Sequence, residues 1–266
     1  MMSRIAFILL AITVALTSLA GCAVTKESDS QLEPASSSGW EDSAERVRAR
    51  VHTELASLYL EIGNLAVALE EARIALRSDA NFGPAHNVAG LVYGALNEDR
   101  LAEESFRRAV KLNPNDSDAN HNYGQFLCQR KREEEAIRYF LSAVRNPLYQ
   151  TPDRSYVNAG VCARRRGDTA GAQGYFLLAL KTRPAQPQAL YQMADLSYAR
   201  GSYEEARGYL GRLTQASQAT PEALWLGVRI ERKLGDRNIE ESYATQLRRN
   251  FPNSREARAL ISGQQE

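Results

Sequence analysis

The chain has 266 residues, 44% of them apolar, with 33 basic against 32 acidic side chains and a formal net charge of +1. So even a balance excludes nucleic acid as partner, because neutralising a phosphate backbone needs a basic excess. By length alone the chain fits one large domain or two small ones, and internal repeats decide between them.

Residues 1–21 have the layout of a secretory signal: Arg4, an apolar run from Ile5 to Leu16, and the small-residue close Leu19-Ala20-Gly21 before Cys22. The run is about a dozen residues, whereas a helix needs about 20 to cross a bilayer, so a transmembrane anchor is a poor reading. The order Leu-Ala-Gly-Cys resembles the lipobox of bacterial lipoproteins. That resemblance implies a diacylglycerol on the Cys22 sulfur, cleavage before it and acylation of the new amino terminus. Ala23 in place of aspartate implies sorting to the outer membrane, periplasmic face. Two or three buried acyl chains hold a protein on a membrane stably, where one chain does not. The alternative is an ordinary signal peptide cut nearby, with Cys22 incidental. Without residues 1–21 the chain keeps 32 basic and 32 acidic side chains. Residues 22–45, with the cluster Ser36-Ser37-Ser38-Gly39, have little to bury and read as a lipidated start and flexible linker.

From residue 46 to 266 the apolar residues recur with helical period. The stretch 102–116 sets a register of Ala102, Phe106, Ala109 and Pro114, which returns as Ala136, Phe140 and Ala143, and again as Ala172, Phe176, Ala179 and Pro184. About twelve residues before each leading alanine stands a small residue: Gly90, Gly124 and Gly160, with Ala56 and Ala194 in the flanking copies. A small residue where two helices cross lets their backbones approach, and the proline ends the second helix. The pattern resembles the tetratricopeptide repeat, a 34-residue helix-turn-helix unit. Six units begin near residues 49, 83, 117, 153, 187 and 221, and the two extra residues between the third and fourth fall in Asn146–Asp153. The expected fold is an all-α, right-handed superhelical solenoid, with residues 254–262 as a capping helix.

Cys128 and Cys162 fall on adjacent first helices, placing them either in a disulfide across the seam or as two buried thiols. Signs of catalysis are missing. His52, His86 and His121 have no partner at metal-ligand spacing, there is no phosphate loop or nucleophile elbow, and Glu103-Glu104 and Glu204-Glu205 read as solvated faces. No metal, cofactor or enzymatic activity is expected.

In such a stack the first helices line a concave face where peptides dock. Inward positions are Asn87, Leu91, His121, Gln125, Val157, Val161, Arg164, Tyr191, Asp195, Tyr198, Trp225 and Arg229, including aromatics and arginines of the kind that anchor interfaces. Asn122 and Asn158 resemble part of a carboxylate clamp, but Arg50, Thr53, Pro84 and Asn87 stand where its other members belong, which argues against carboxylate capture. Leu60, Ile62 and Phe82 at the edges of unit one offer a hydrophobic groove as a second candidate surface.

Lipobox, polar linker, six units and the cysteine pair together resemble the PilF/PilW family of pilotin lipoproteins of type IV pilus biogenesis. The resemblance implies a non-enzymatic factor that helps a secretin subunit reach the outer membrane and multimerise, as pilus assembly and twitching motility require; the balanced surface and capped stack favour a monomer. A periplasmic adaptor for peptidoglycan-remodelling enzymes or envelope proteases is the alternative.

Overall fold

A computed structural model of the chain describes residues 43–263, so the signal segment, Cys22 and most of the linker lie outside the described residues. The described residues form thirteen helices: α1 Ala44–Glu61, α2 Leu65–Ser78, α3 Gly83–Ala95, α4 Asp99–Leu112, α5 Ser117–Gln129, α6 Glu133–Ala143, α7 Pro152–Arg165, α8 Thr169–Thr182, α9 Pro187–Ala199, α10 Tyr203–Ala216, α11 Pro221–Leu234, α12 Arg237–Asn250 and α13 Arg255–Ser262. Odd and even helices pair as hairpins from α1/α2 to α11/α12. Each second helix then packs on the first helix of the next unit, and α13 closes the far end against α11 and α12. Among the described residues no extensive packing skips a unit, which makes this a solenoid of tetratricopeptide units.

Local chemistry sets the helix ends. Prolines occupy the first turn of α3, α7, α9 and α11, where a missing N–H costs nothing. Asp116 caps α5 by accepting the Ala119 N–H at 2.9 Å. Second helices stop at an extended residue, Asn113 before Pro114 and Arg183 before Pro184, because a residue preceding proline is pushed out of the helical region. Within each hairpin one residue turns left-handed: Gly63, Asn97, Lys131, Gly167, Gly201 and Gly235, with φ between 60° and 88°. Glycine takes this conformation without strain, and asparagine tolerates it better than most residues, so Lys131 is the exception.

The core is built at the hairpin crossings. A Cβ on Gly90 would stand 2.7 Å from the Phe106 ring, one on Gly124 3.0 Å from the Phe140 ring, and one on Gly160 2.5 Å from the Phe176 ring. All three rings are fully buried, each worth about 1.5–3 kcal/mol of apolar transfer. Where the first helix carries Ala194, the facing side chain is the smaller Leu210, and at Ala56 it is Ala72.

The irregular step lies between units three and four. Helix α6 has 11 residues, whereas α2, α4 and α8 have 14, and the chain crosses to α7 through residues 144–151. Ser117 donates to the Ala143 carbonyl at 2.8 Å, tying the early end of α6 to α5. Cys128 on α5 and Cys162 on α7 form a disulfide with Cα atoms 6.0 Å apart. Two turns earlier on the same two helices, His121 Nδ1 lies 2.7 Å from Ser155 Oγ, which donates to the Tyr149 hydroxyl of the longer loop at 3.2 Å. Burial, aided by the Arg154 charge, holds His121 down to about 4, so it is neutral in the folded state.

Three outcomes test this account. Gly160→Ala loses about 1–3 kcal/mol by overpacking the Phe176 ring, whereas Gly174→Ala in the same unit, with nothing near its Cβ, is neutral or gains up to about 1 kcal/mol; urea unfolding compares them. Replacing Cys128 and Cys162 by serine costs about 3–4 kcal/mol, since the bond closes a 34-residue loop, and the loss appears in the same unfolding curves. An unfolded histidine titrates near 6.5, so between pH 6.5 and 4 the unfolded chain binds a proton that folded His121 refuses. Stability from this site is complete above pH 6.5 and declines by up to about 3 kcal/mol towards pH 4. His121→Gln flattens that limb of the midpoint-versus-pH curve, and an unchanged slope would remove His121 as its cause.

Candidate protein-binding surface

Because the same face of the first helix returns with each unit, polar side chains on α3, α5, α7, α9 and α11 meet their counterparts one unit on. Asn122 Nδ2 donates to Asn87 Oδ1 at 3.2 Å, and Asn158 Nδ2 lies 3.5 Å from His121 Nε2. Arg164 donates to Gln192 Oε1 at 2.6 Å and to Asp195 Oδ2 at 2.5 Å. The Arg229 guanidinium sits 4.4 Å above the centre of the Tyr198 ring, a cation–π contact. Burial, with the Asp195 charge second, raises the Tyr191 hydroxyl above the ordinary tyrosine range, so it stays a neutral donor.

These contacts sort the sequence candidates. Val157 is 4% exposed in the main core, and Trp225 is 7% exposed, packed with Leu224, Val228 and Leu247 near the C-terminal cap. Asn87 and His121 are also buried and bond within the stack. Those four side chains hold the face together from beneath. Gln125 is exposed; Leu91, Val161, Arg164, Tyr191, Asp195, Tyr198 and Arg229 are half-buried and remain reachable. Tyr191 also borders a hollow of about 370 Å³ with Gln188, Leu213 and Glu222.

Two further surfaces stand out. Among the described residues no unit precedes α1, and Val47, Val51, Leu58 and Ile62, spaced to share one helix face, are 45–74% exposed. Of the residues expected at this end, Ile62 belongs to that stripe, Leu60 is half-buried, and Phe82 is buried with the Arg46 guanidinium 5.5 Å from its ring. Sequence reasoning missed a groove of about 1030 Å³ formed mainly by α4 with α2 and α6, reaching His86 and Tyr93 of α3 and Asn120 of α5, with Arg107, Arg108, Lys111 and Arg145 around it. A signal for it existed: Arg77, Lys111, Arg145 and Lys181 occupy one repeat register in four consecutive units, at or just past the end of each second helix.

Ser155 and His121 are within hydrogen-bond distance, yet Ser155 is 0% exposed and beyond reach of a substrate. Among the described residues no three His, Cys, Asp or Glu side chains are grouped to hold a metal ion, and no helix is long and apolar enough to cross a membrane.

Known proteins share this architecture. Residues 83–116, 105–138 and 157–223 match models of the tetratricopeptide repeat. The type IV pilus assembly protein PilF of Pseudomonas aeruginosa is 33% identical over 198 residues, which is 74% of this chain and 79% of that protein. The solved structure of P. aeruginosa PilF superposes with a TM-score of 0.75 at 30% identity, covering 83% of this chain and 99% of that one. The crystal structure of PilW, a widely conserved type IV pilus biogenesis factor, gives 0.71 at 30% identity, covering 80% and 98%. With the repeat frame, the fold and sequence identity all agreeing over most of its length, this chain belongs to the PilF/PilW family of tetratricopeptide-repeat proteins of type IV pilus biogenesis.

Proposed function

We propose that the chain is a lipid-anchored outer-membrane pilotin: a non-enzymatic, monomeric scaffold that holds a secretin subunit of the pilus machine and promotes its localisation and multimerisation. The observation that carries this reading is the kinship with PilF across 79% of that protein. Leu19-Ala20-Gly21-Cys22, ahead of the repeat body, supports the lipid anchor. Acyl chains on Cys22 would confine the body to the inner leaflet of the outer membrane. Confinement turns a three-dimensional search between subunits into a local one, raising the effective concentration for ring closure.

A scaffold also fits the chemistry of the surface. The half-buried row Arg164, Asp195, Tyr198 and Arg229 presents paired charges and an aromatic ring already held in place, so binding there orders few side chains. The α1 stripe supplies the apolar area that such a polar face lacks.

The test is the secretin itself. Outer-membrane fractions of wild type, a deletion strain and a Cys22→Ala strain are run on gels that preserve its multimers. Multimers should vanish or mislocalise in the deletion, and Cys22→Ala should shift them away from the outer membrane. Normal multimers in the deletion overturn the reading and leave an adaptor for peptidoglycan enzymes or envelope proteases.

A further inference from the structure

We infer that the groove on the second-helix side of units one to three is a docking site for an acidic segment of a partner protein, separate from the concave row. Its volume is about 1030 Å³. Half-buried Leu76, Leu101, Val110 and Tyr139 line it, while Arg107, Lys111 and Arg145 are exposed around it.

Charge argues for the occupant. Four cations border the groove against one carboxylate, Glu104, which lies 3.4 Å from Arg100 outside it. Arg108 is held by Asn81 Oδ1 at 2.6 Å. No described carboxylate lies within ion-pair distance of Arg107, Lys111 or Arg145, although Arg77 and Arg138 on the flanking second helices are paired with Glu70 and Glu134. A cation in the last turn of a helix is commonplace because it meets the negative end of the dipole. That accounts for Lys111 but not for Arg107 and Arg108 a turn earlier. With a net charge of only +1, the local excess is not a by-product of a basic protein. His86, at the same groove, is held below the ordinary histidine range by burial, with the Arg108 charge adding to it against the opposing Ala80 hydrogen bond and Asp79 charge, so the positive charge there is that of the arginines and Lys111.

Shape argues for a protein segment over a membrane. A flat layer of headgroups meets rim charges but cannot fill a recess lined by leucine, valine and tyrosine. A peptide with carboxylates flanking an apolar residue satisfies both, the carboxylates on the guanidinium forks and the apolar side chain between Val110 and Tyr139. The site holds whichever protein carries that segment, and so stands apart from the secretin assignment.

Benzoylphenylalanine placed at Ser142, inside the groove, in the full chain in intact cells traps the occupant on irradiation, and mass spectrometry of the adduct reads the attached peptide. The expected result is a peptide with an excess of Asp and Glu, its yield falling at least tenfold when Arg107→Glu, Lys111→Glu and Arg145→Glu are combined. Reversal of Arg237 and Arg249 on α12 leaves the yield unchanged, and circular dichroism verifies that both sets of variants fold. An adduct to lipid only, to a neutral or basic peptide, no adduct, or one insensitive to the groove reversal overturns the proposal.

Discussion

In units two to four the first helix approaches the second so closely that a phenylalanine ring occupies the space where a Cβ would be. Everything else in the stack is arranged around that approach. The ring fills the crossing, the flanking alanines let neighbouring turns close on it, and the next unit covers what is left. A single hairpin cannot bury such a face alone, so stability comes from neighbours. The first unit uses a smaller pair at that crossing, Ala56 with Ala72, whereas in unit six a Cβ on Gly227 would stand 2.8 Å from the Tyr243 ring, so the glycine–ring approach returns there. Within the described residues the first unit is covered by another unit on one side only, so less apolar bulk needs hiding there, while unit six is closed by α13.

A regular repeat makes a regular seam, and the chain reinforces the one place where regularity fails. Two extra residues between units three and four shorten α6 and lengthen the loop, and the disulfide and the His121–Ser155–Tyr149 chain are found there. Farther along, the buried Glu231 carboxylate on α11 is met by the Arg207 guanidinium from α10, its Nε donating at 3.0 Å. Such a pair contributes little net stability but makes a shifted register costly, since it would strand a buried charge. A scaffold that must present one face to a partner gains from that rigidity.

The same geometry divides the surface by helix type. First helices repeat polar groups that find each other across units, giving an ordered, mostly self-satisfied face. On the second-helix side opens a groove where Arg107, Lys111 and Arg145 have no carboxylate within ion-pair distance among the described residues. A family protein of pilus assembly thus carries two chemically different surfaces on opposite helices of one repeat, able to serve two partners or two segments of one.

The sequence by itself determined the repeat, its register and the family, because helical period, small residues at crossings and helix-stopping prolines are local properties that recur along the chain. Tertiary structure decided which side chains are free to bind. Val157 and Trp225 share the register of reachable residues such as Tyr191, but Val157 is buried in the main core and Trp225 in the cluster at the C-terminal cap, and such cover depends on what packs against each helix and not on spacing. Pairing of Cys128 with Cys162 likewise needed the seam, since two residues 34 apart are neighbours only after the units stack. The groove was half legible: its cations stand in register, but a register cannot tell whether carboxylates from other helices neutralise them. Charges and apolar side chains become a site only through what lies opposite, and that is set by how the units pack.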